Sequence, residues 1–282
     1  MSDRHEERKE ETYAKLDALV GLQKVKQEVR NLVDYVTGLV AIQRAKAEGA
    51  EPPPRVDLHL VFTGNPGTGK TMVARLLGQM LQVIGFLSRG HVVEVDRVDL
   101  VGEYIGQTAP KTNKVIDSAL GGILEINDPY TLAGDAFGWE AIDTLLKRME
   151  DDRGKFVVIL SGYKREMEQF LGTNPGLRSR FTKHIDFEDY TPEELRQIFL
   201  LMASERGMKL GEGVEGRIQG IMEDLISRKD RAFANGRTVR HIFERVLENH
   251  AIRLGRHISQ TGEVEKEMIA RIELQDLENI LS

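Results

Sequence analysis

Eight consecutive residues, Gly64-Asn65-Pro66-Gly67-Thr68-Gly69-Lys70-Thr71, have the types and spacing needed to hold a triphosphate. Glycines let successive backbone N–H groups converge on phosphate oxygens, and the N-terminus of a following helix adds favourable partial charge. Lys70 would neutralise the β- and γ-phosphates, and the Thr71 hydroxyl would ligate Mg2+. Such a loop must leave a strand and enter a helix. The apolar, β-branched run Val56 to Phe62 precedes it, and Val73, Leu76, Leu77, Met80 and Leu81 follow at the spacing i, i+3, i+4, i+7, i+8. A plain glycine-rich turn would not need that company. The segment reads as a site for ATP and Mg2+, with Met72 completing the candidate nucleotide contacts.

Hydrolysis requires an acidic pair at the end of a neighbouring strand, one residue for magnesium and one to orient the attacking water. The place for it is Gly121-Gly122-Ile123-Leu124-Glu125-Ile126-Asn127-Asp128. Glu125 is unexpected there, because an unpaired charge inside a strand buried on both faces costs several kcal/mol.

The elements that must position these groups alternate along the chain. Strand-like runs at Val92 to Val95, Ile123 to Ile126, Phe156 to Leu160 and Lys183 to Phe187 alternate with helical runs at Lys111 to Leu120 and Trp139 to Met149. That alternation predicts an α/β fold with a mainly parallel five-stranded sheet covered on both faces. Upstream, Leu16 to Ala47 predicts a short helix, a turn at Val20-Gly21-Leu22 and a long helix ending near Pro52-Pro53-Pro54. Residues 1–15 read as a charged, solvated tail. Composition changes at Tyr190: Thr191-Pro192-Glu193-Glu194 has the form of a capping box, and helical spacing then dominates, with a short strand near Ile269 to Glu273. The expected division is therefore an α/β domain over 16–190 and a helical domain over 191–282.

Composition narrows the functional classes. With 40% hydrophobic and 30% charged residues the chain has no apolar run long enough to span a bilayer. Forty-five acidic against 39 basic residues, a net charge of -6, supply no broad attraction for nucleic acid. The absence of cysteine excludes disulfides and thiolate metal sites and fits a cytoplasmic location.

Five further segments carry a resemblance: Asp99 to Thr112 with Gly102-Glu-Tyr-Ile-Gly106 inside it, Glu140 to Asp152, Ser161-Gly-Tyr163, Asn174-Pro-Gly-Leu-Arg-Ser-Arg-Phe181 and Asn235-Gly-Arg-Thr-Val-Arg240. Over roughly Leu19 to Leu254 the chain resembles the AAA+ group containing red-type Rubisco activase and stage V sporulation protein K, nearer the sporulation branch. The resemblance implies a P-loop NTPase three-layer sandwich followed by a small helical lid, and a ring oligomer, a hexamer in the family, that uses ATP to remodel a protein substrate. It places Tyr104 and Ile105 in a pore loop, which suits a mobile amphipathic contact between two glycines. Arg178 and Arg180 resemble arginine fingers reaching a neighbouring subunit's phosphate, a task suited to an always-charged planar guanidinium. Arg237 matches the second sensor, with Arg240 as the alternative on nearly the same face. Ser161 matches the first sensor, although serine could simply end its strand. Val20 and Gly21 match the segment that packs on adenine.

One departure bears on chemistry. The family's second acidic motif ends in Asp-Glu; in register, Asn127 takes the aspartate position and Asp128 the glutamate position. An asparagine carbonyl still ligates a hard cation but brings no charge, and Asp128 is one methylene short. Nucleotide binding with slow turnover is the expectation, and a nucleotide-gated interaction protein is the competing one. The loop Gly134 to Gly138 also reads as shorter than its family counterpart.

Overall fold

The computed structural model describes residues 2–47, 57–228 and 233–280. The chain forms two compact units: an N-terminal one reaching Gly64 and resuming from Gly69 to Phe187, and a C-terminal one from Glu188 onward that also takes in Asn65–Thr68. Among the described residues no helix is long and apolar enough to cross a membrane.

In the N-terminal unit, helices α1 (Ser2–Asp17) and α2 (Gln23–Ala47) precede a sheet of five parallel strands: β1 (Leu60–Gly64), β2 (Val92–Val95), β3 (Ile123–Asn127), β4 (Val157–Gly162) and β5 (Lys183–Phe187). Their order is β2-β3-β4-β1-β5. Parallel neighbours require crossovers. Helix α3 (Lys70–Val83) follows β1, while α4 (Arg97–Leu100) and α5 (Thr108–Ala119) follow β2. A 3-10 turn (Pro129–Gly134) and α6 (Ala136–Asp151) follow β3, and α7 (Lys164–Gly172) and α8 (Pro175–Arg180) follow β4. Because successive strand residues face opposite ways, the sheet feeds two cores. Leu60, Phe62, Ile123, Val157 and Ile159 pack with apolar residues of α1, α2 and α3, whereas Val61, Leu124, Ile126, Val158 and Leu160 pack with those of α5, α6 and α7.

Several expectations need correction. A solvated tail was expected over residues 1–15, yet residues 2–15 belong to α1, where Thr12 and Leu16 are buried and Tyr13 packs against the core. Charge hid an amphipathic face whose partner, α3, lies far along the chain. The turn after α1 is held by Lys26, whose ammonium donates to the carbonyls of Asp17 (3.0 Å) and Leu19 (2.5 Å). Strand β1 begins at Leu60, not Val56; Val56 and Pro52-Pro53-Pro54 lie outside the described residues. The supposed loop Gly134 to Gly138 contains the start of α6, which Asp135 caps by accepting from the Gly138 N–H (2.9 Å).

Just before β1, His59 is buried between Phe156 and Phe181, and its Nδ1 accepts from the Val158 N–H at 3.0 Å. Burial, reinforced by nearby Arg180, pushes the imidazole down to about 4. The unfolded chain therefore binds more protons than the native state between about pH 6.5 and pH 4, so native stability falls as pH falls through that window. We expect this residue to remove about 3 kcal/mol of unfolding free energy between pH 6.5 and 4. Urea titrations across that range check the loss, and an NMR titration showing a native imidazole protonating near 6.5 contradicts it.

The C-terminal unit contains α9 (Pro192–Glu205), β6 (Lys209–Leu210), α10 (Val214–Arg228), α11 (Gly236–Thr261), α12 (Lys266–Ile269), β7 (Arg271–Ile272) and a 3-10 turn (Leu274–Leu277). The capping box forms: Thr191 Oγ1 accepts from the Glu194 N–H, and Glu194 accepts from the Thr191 N–H at 2.8 Å. Gly207, at φ 67°, turns the chain out of α9. The core is Leu195, Phe199, Ile218, Met222, Val239 and Phe243, with the Phe199 and Phe243 rings edge-to-face at 5.1 Å. Strand β6 pairs with β7 in parallel over two residues; β7 lies within the short strand expected near Ile269 to Glu273, whereas two-residue β6 left no periodicity to read.

Candidate functional site

The sheet ends β1 at Gly64, where the chain turns at φ 149° and an added Cβ would lie 2.4 Å from the Phe187 carbonyl oxygen of adjacent β5. Only glycine fits that approach. Gly69, at φ 96°, then starts α3 with Lys70 as its first residue, leaving first-turn N–H groups without helical partners, as an anion site requires. The Lys70 ammonium donates to the Gly64 carbonyl at 2.8 Å, folding it back over the loop. Met72 is half exposed on the first turn.

The middle of the loop is held by the C-terminal unit's own residues. Asn65 donates to both carboxylate oxygens of Asp189 (3.0 and 2.9 Å), Thr68 Oγ1 donates to the Asn65 carbonyl at 2.8 Å, and the Tyr190 hydroxyl donates to the Thr68 carbonyl at 3.3 Å. Gly67 lies against Ala234, whose carbonyl oxygen would be 2.0 Å from an added Cβ. Fully buried Asn235 joins these parts: its amide donates to the Pro66 carbonyl (3.3 Å) and Asp189 (2.7 Å), and its carbonyl accepts from the Tyr190 N–H (3.0 Å). Sequence reasoning noted Asn235 only as part of a motif and missed Asp189 and Tyr190. A non-glycine residue ahead of a helix carries no mark of contacts 46 and 169 positions away.

At the end of β3, Asn127 stands in register with Ser161 of β4, and the two share a face of the sheet. Strand β4 continues through Gly162, so Ser161 does not terminate it; its hydroxyl is buried. Asp128 leaves β3 at φ 48°, donates its N–H to the Ser161 carbonyl at 2.7 Å, and is exposed. Its carboxylate accepts from the Tyr130 hydroxyl; burial first and that bond second raise the phenol above its ordinary range.

Glu125 is the charged group on the α3-facing side of β3, fully buried, and its Oε1 accepts from the Thr71 hydroxyl at 3.2 Å. The strand is intact around it, so the expected interruption does not occur. Burial pushes this carboxyl up to about 7, opposed by the Thr71 bond and reinforced by Glu94, its register partner on β2. Glu94 is itself paired with Arg75 of α3 (Nε to Oε1, 3.1 Å). The Ser161 hydroxyl and Lys70 both favour the charged form of Glu125, although Ser161 Oγ completes no hydrogen bond of normal geometry and Glu125 Oε2 is buried without one.

The remaining candidates fall in separate places. Tyr104 and Ile105 lie between α4 and α5 and are 68% and 91% exposed, the reverse of what apolar side chains do in a core. Gly106 turns there at φ 81°. Arg178 and Arg180 occupy the last turn of α8, which Asn174 caps. Arg180 is ion-paired with Glu150 at 3.0 Å, while Arg178 is exposed. Arg237 is exposed in the first turn of α11 and Arg240 at the start of the second, and the Gly236 N–H of this helix donates to the Gly67 carbonyl at 3.1 Å. Val20 and Gly21, at the turn between α1 and α2, are half buried.

A loop with these glycines, a lysine at a helix start and a polar residue ending a strand of the same parallel sheet has the chemistry that a phosphate would need. Residues 60–189 match the model for the ATPase family associated with various cellular activities (AAA), and residues 191–282 match the AAA lid domain. The chain belongs to the AAA ATPases. It is 42% identical over 243 residues to stage V sporulation protein K of Bacillus subtilis (strain 168), covering 85% of this chain and 74% of that protein. It is also 42% identical over 251 residues to the chromosomal protein CbxX of Cupriavidus necator, covering 86% of this chain and 77% of that one. Among solved structures, the FIGL-1 AAA domain in complex with ADP superposes with a TM-score of 0.61 at 18% identity, over 93% of this chain and 82% of that one. This AAA ATPase therefore has the family's α/β domain and lid, as its sequence implied.

Proposed function

We propose that the protein is an ATP-driven protein remodeller that works as a ring oligomer, with turnover slowed by its second acidic motif. The observation that carries this reading is the loop from Gly64 to Thr71. Its strained glycines, helix start and folded-back lysine match what a triphosphate needs, and the Thr71 hydroxyl and Asn127 carbonyl are oxygen donors suited to Mg2+. Bound Mg·ATP would supply the phosphoanhydride whose cleavage drives the cycle. Lys70 and the loop amides would hold and neutralise the phosphates, Asp128 would orient the attacking water, and Ser161 would sense the γ-phosphate from the neighbouring strand. Arg178 and Arg180 are proposed to act on the nucleotide of an adjacent subunit. The Arg180–Glu150 pair opposes this little, because exposed ion pairs contribute about 0 to 1 kcal/mol. Arg237, or Arg240 one turn on, would couple the lid to the nucleotide, and Val20 and Gly21 would border its base.

Exposure of Tyr104 and Ile105 favours threading of a polypeptide over simple nucleotide-gated assembly, since a gate needs no aromatic side chain in solvent. The test pairs light scattering with phosphate release. ATP should increase particle mass several-fold, and an unfolded probe, reduced carboxymethylated α-lactalbumin, should stimulate hydrolysis. Tyr104→Ala should abolish the stimulation while leaving ATP-dependent assembly and basal hydrolysis in place. Stimulation that survives Tyr104→Ala removes the threading reading; particle mass indifferent to ATP removes the ring.

A further inference from the structure

We infer that Glu125 supplies, through Thr71, the negative charge at the magnesium site that Asn127 lacks. The strand-end position proposed to hold the metal carries an amide and no carboxylate, yet the same face of β3 carries a carboxylate two residues earlier, at a spacing that keeps both side chains on one side of the sheet. Glu125 is fully buried with Ile123, Ile159 and Phe62 on its face of the sheet, where a carboxylate without a task is strongly disfavoured. Its Oε1 accepts a hydrogen bond from Thr71, the proposed magnesium ligand. A threonine hydroxyl that donates its proton to a carboxylate keeps its lone pairs for a cation and gains electron density on oxygen. This is how an outer carboxylate orients and strengthens an inner ligand. The second oxygen, Oε2, is buried without a hydrogen-bond partner. Arg75 does not compete for it, because Glu94 engages that guanidinium from β2. Glu125 is thus a positioning residue, one shell out from the metal.

This inference rests on the nucleotide-site reading, and calorimetry separates the two. Affinity for ATP is measured in excess Mg2+ and again in EDTA, so the readout is the gain in affinity that Mg2+ confers, independent of turnover. Glu125→Gln keeps the shape and removes the charge; the gain should fall about tenfold, with affinity in EDTA unchanged. Asn127→Asp in the Glu125→Gln background should restore the gain, because the charge returns to the strand end. In the otherwise unaltered chain, where folding of the Glu125 variant is not at issue, Asn127→Asp should change the gain by less than about twofold. A Glu125→Gln protein that folds and keeps the full Mg2+ gain overturns the proposal, as does a large rise in the gain from Asn127→Asp alone. An unaltered chain that binds no ATP in either condition overturns the nucleotide site as well.

Discussion

Asp128→Glu should raise steady-state ATP turnover about a hundredfold, the scale associated with misplacing a catalytic group by about 1 Å. The general base or water-orienting group must reach the attacking water, and Asp128 has one methylene less with which to do so. Its backbone restricts it further. Asp128 sits at φ 48° with its N–H tied to the Ser161 carbonyl, and its carboxylate is engaged by the Tyr130 hydroxyl, so it cannot swing forward to make up the distance. A glutamate on the same backbone extends past the phenol. Asn127→Asp alone should have a much smaller effect on turnover, because Glu125 already provides charge to the metal side of the site. A phosphate-release assay under saturating Mg·ATP checks the prediction. If Asp128→Glu leaves the rate unchanged while binding is intact, turnover is limited at another step, such as assembly or product release.

Asn235→Ala should destabilise the C-terminal unit by about 3 kcal/mol and weaken ATP binding at least about tenfold. Asn235 is completely buried and has three partners, so truncation strands the Tyr190 N–H and the Pro66 carbonyl and removes one of two amides holding Asp189. The loop Asn65–Thr68 would then lose its main anchor in that unit. The backbone adds a second signature: Asn235 sits at φ 48°, ψ -128°, where side chains are strained and glycine is not. Asn235→Gly sheds that strain while losing the same hydrogen bonds, so it should be more stable than Asn235→Ala by about 1 kcal/mol. Urea unfolding of both variants and calorimetry with ATP give the comparison. Equal stability of unaltered and Asn235→Ala protein would show that these bonds are replaced by water.

Local chemistry in the chain was enough to reveal the glycine-rich turn from strand into helix at Gly64, the succession of strands and helices behind it, and the change to a helical lid. Each is written within a few residues: glycines and Lys70 at set intervals, short apolar runs for β1 to β4, a Thr-Pro-Glu-Glu cap for α9. The sequence also set Asn127 and Asp128 at the end of β3, the positions where the proposed chemistry makes charge and length matter. What the one-dimensional pattern could not convey was partnership. The charged N-terminus looked unstructured because α3, the surface that α1 covers, comes later in the chain. Glu125 looked like a misplaced charge because Thr71 lies 54 residues away, and Asn235 stood out only as part of a motif because Pro66 lies 169 residues away. Hydrogen bonds between distant residues depend on which strands become neighbours, and that order, β2-β3-β4-β1-β5, is settled by burial of the whole sheet rather than by any short segment of it.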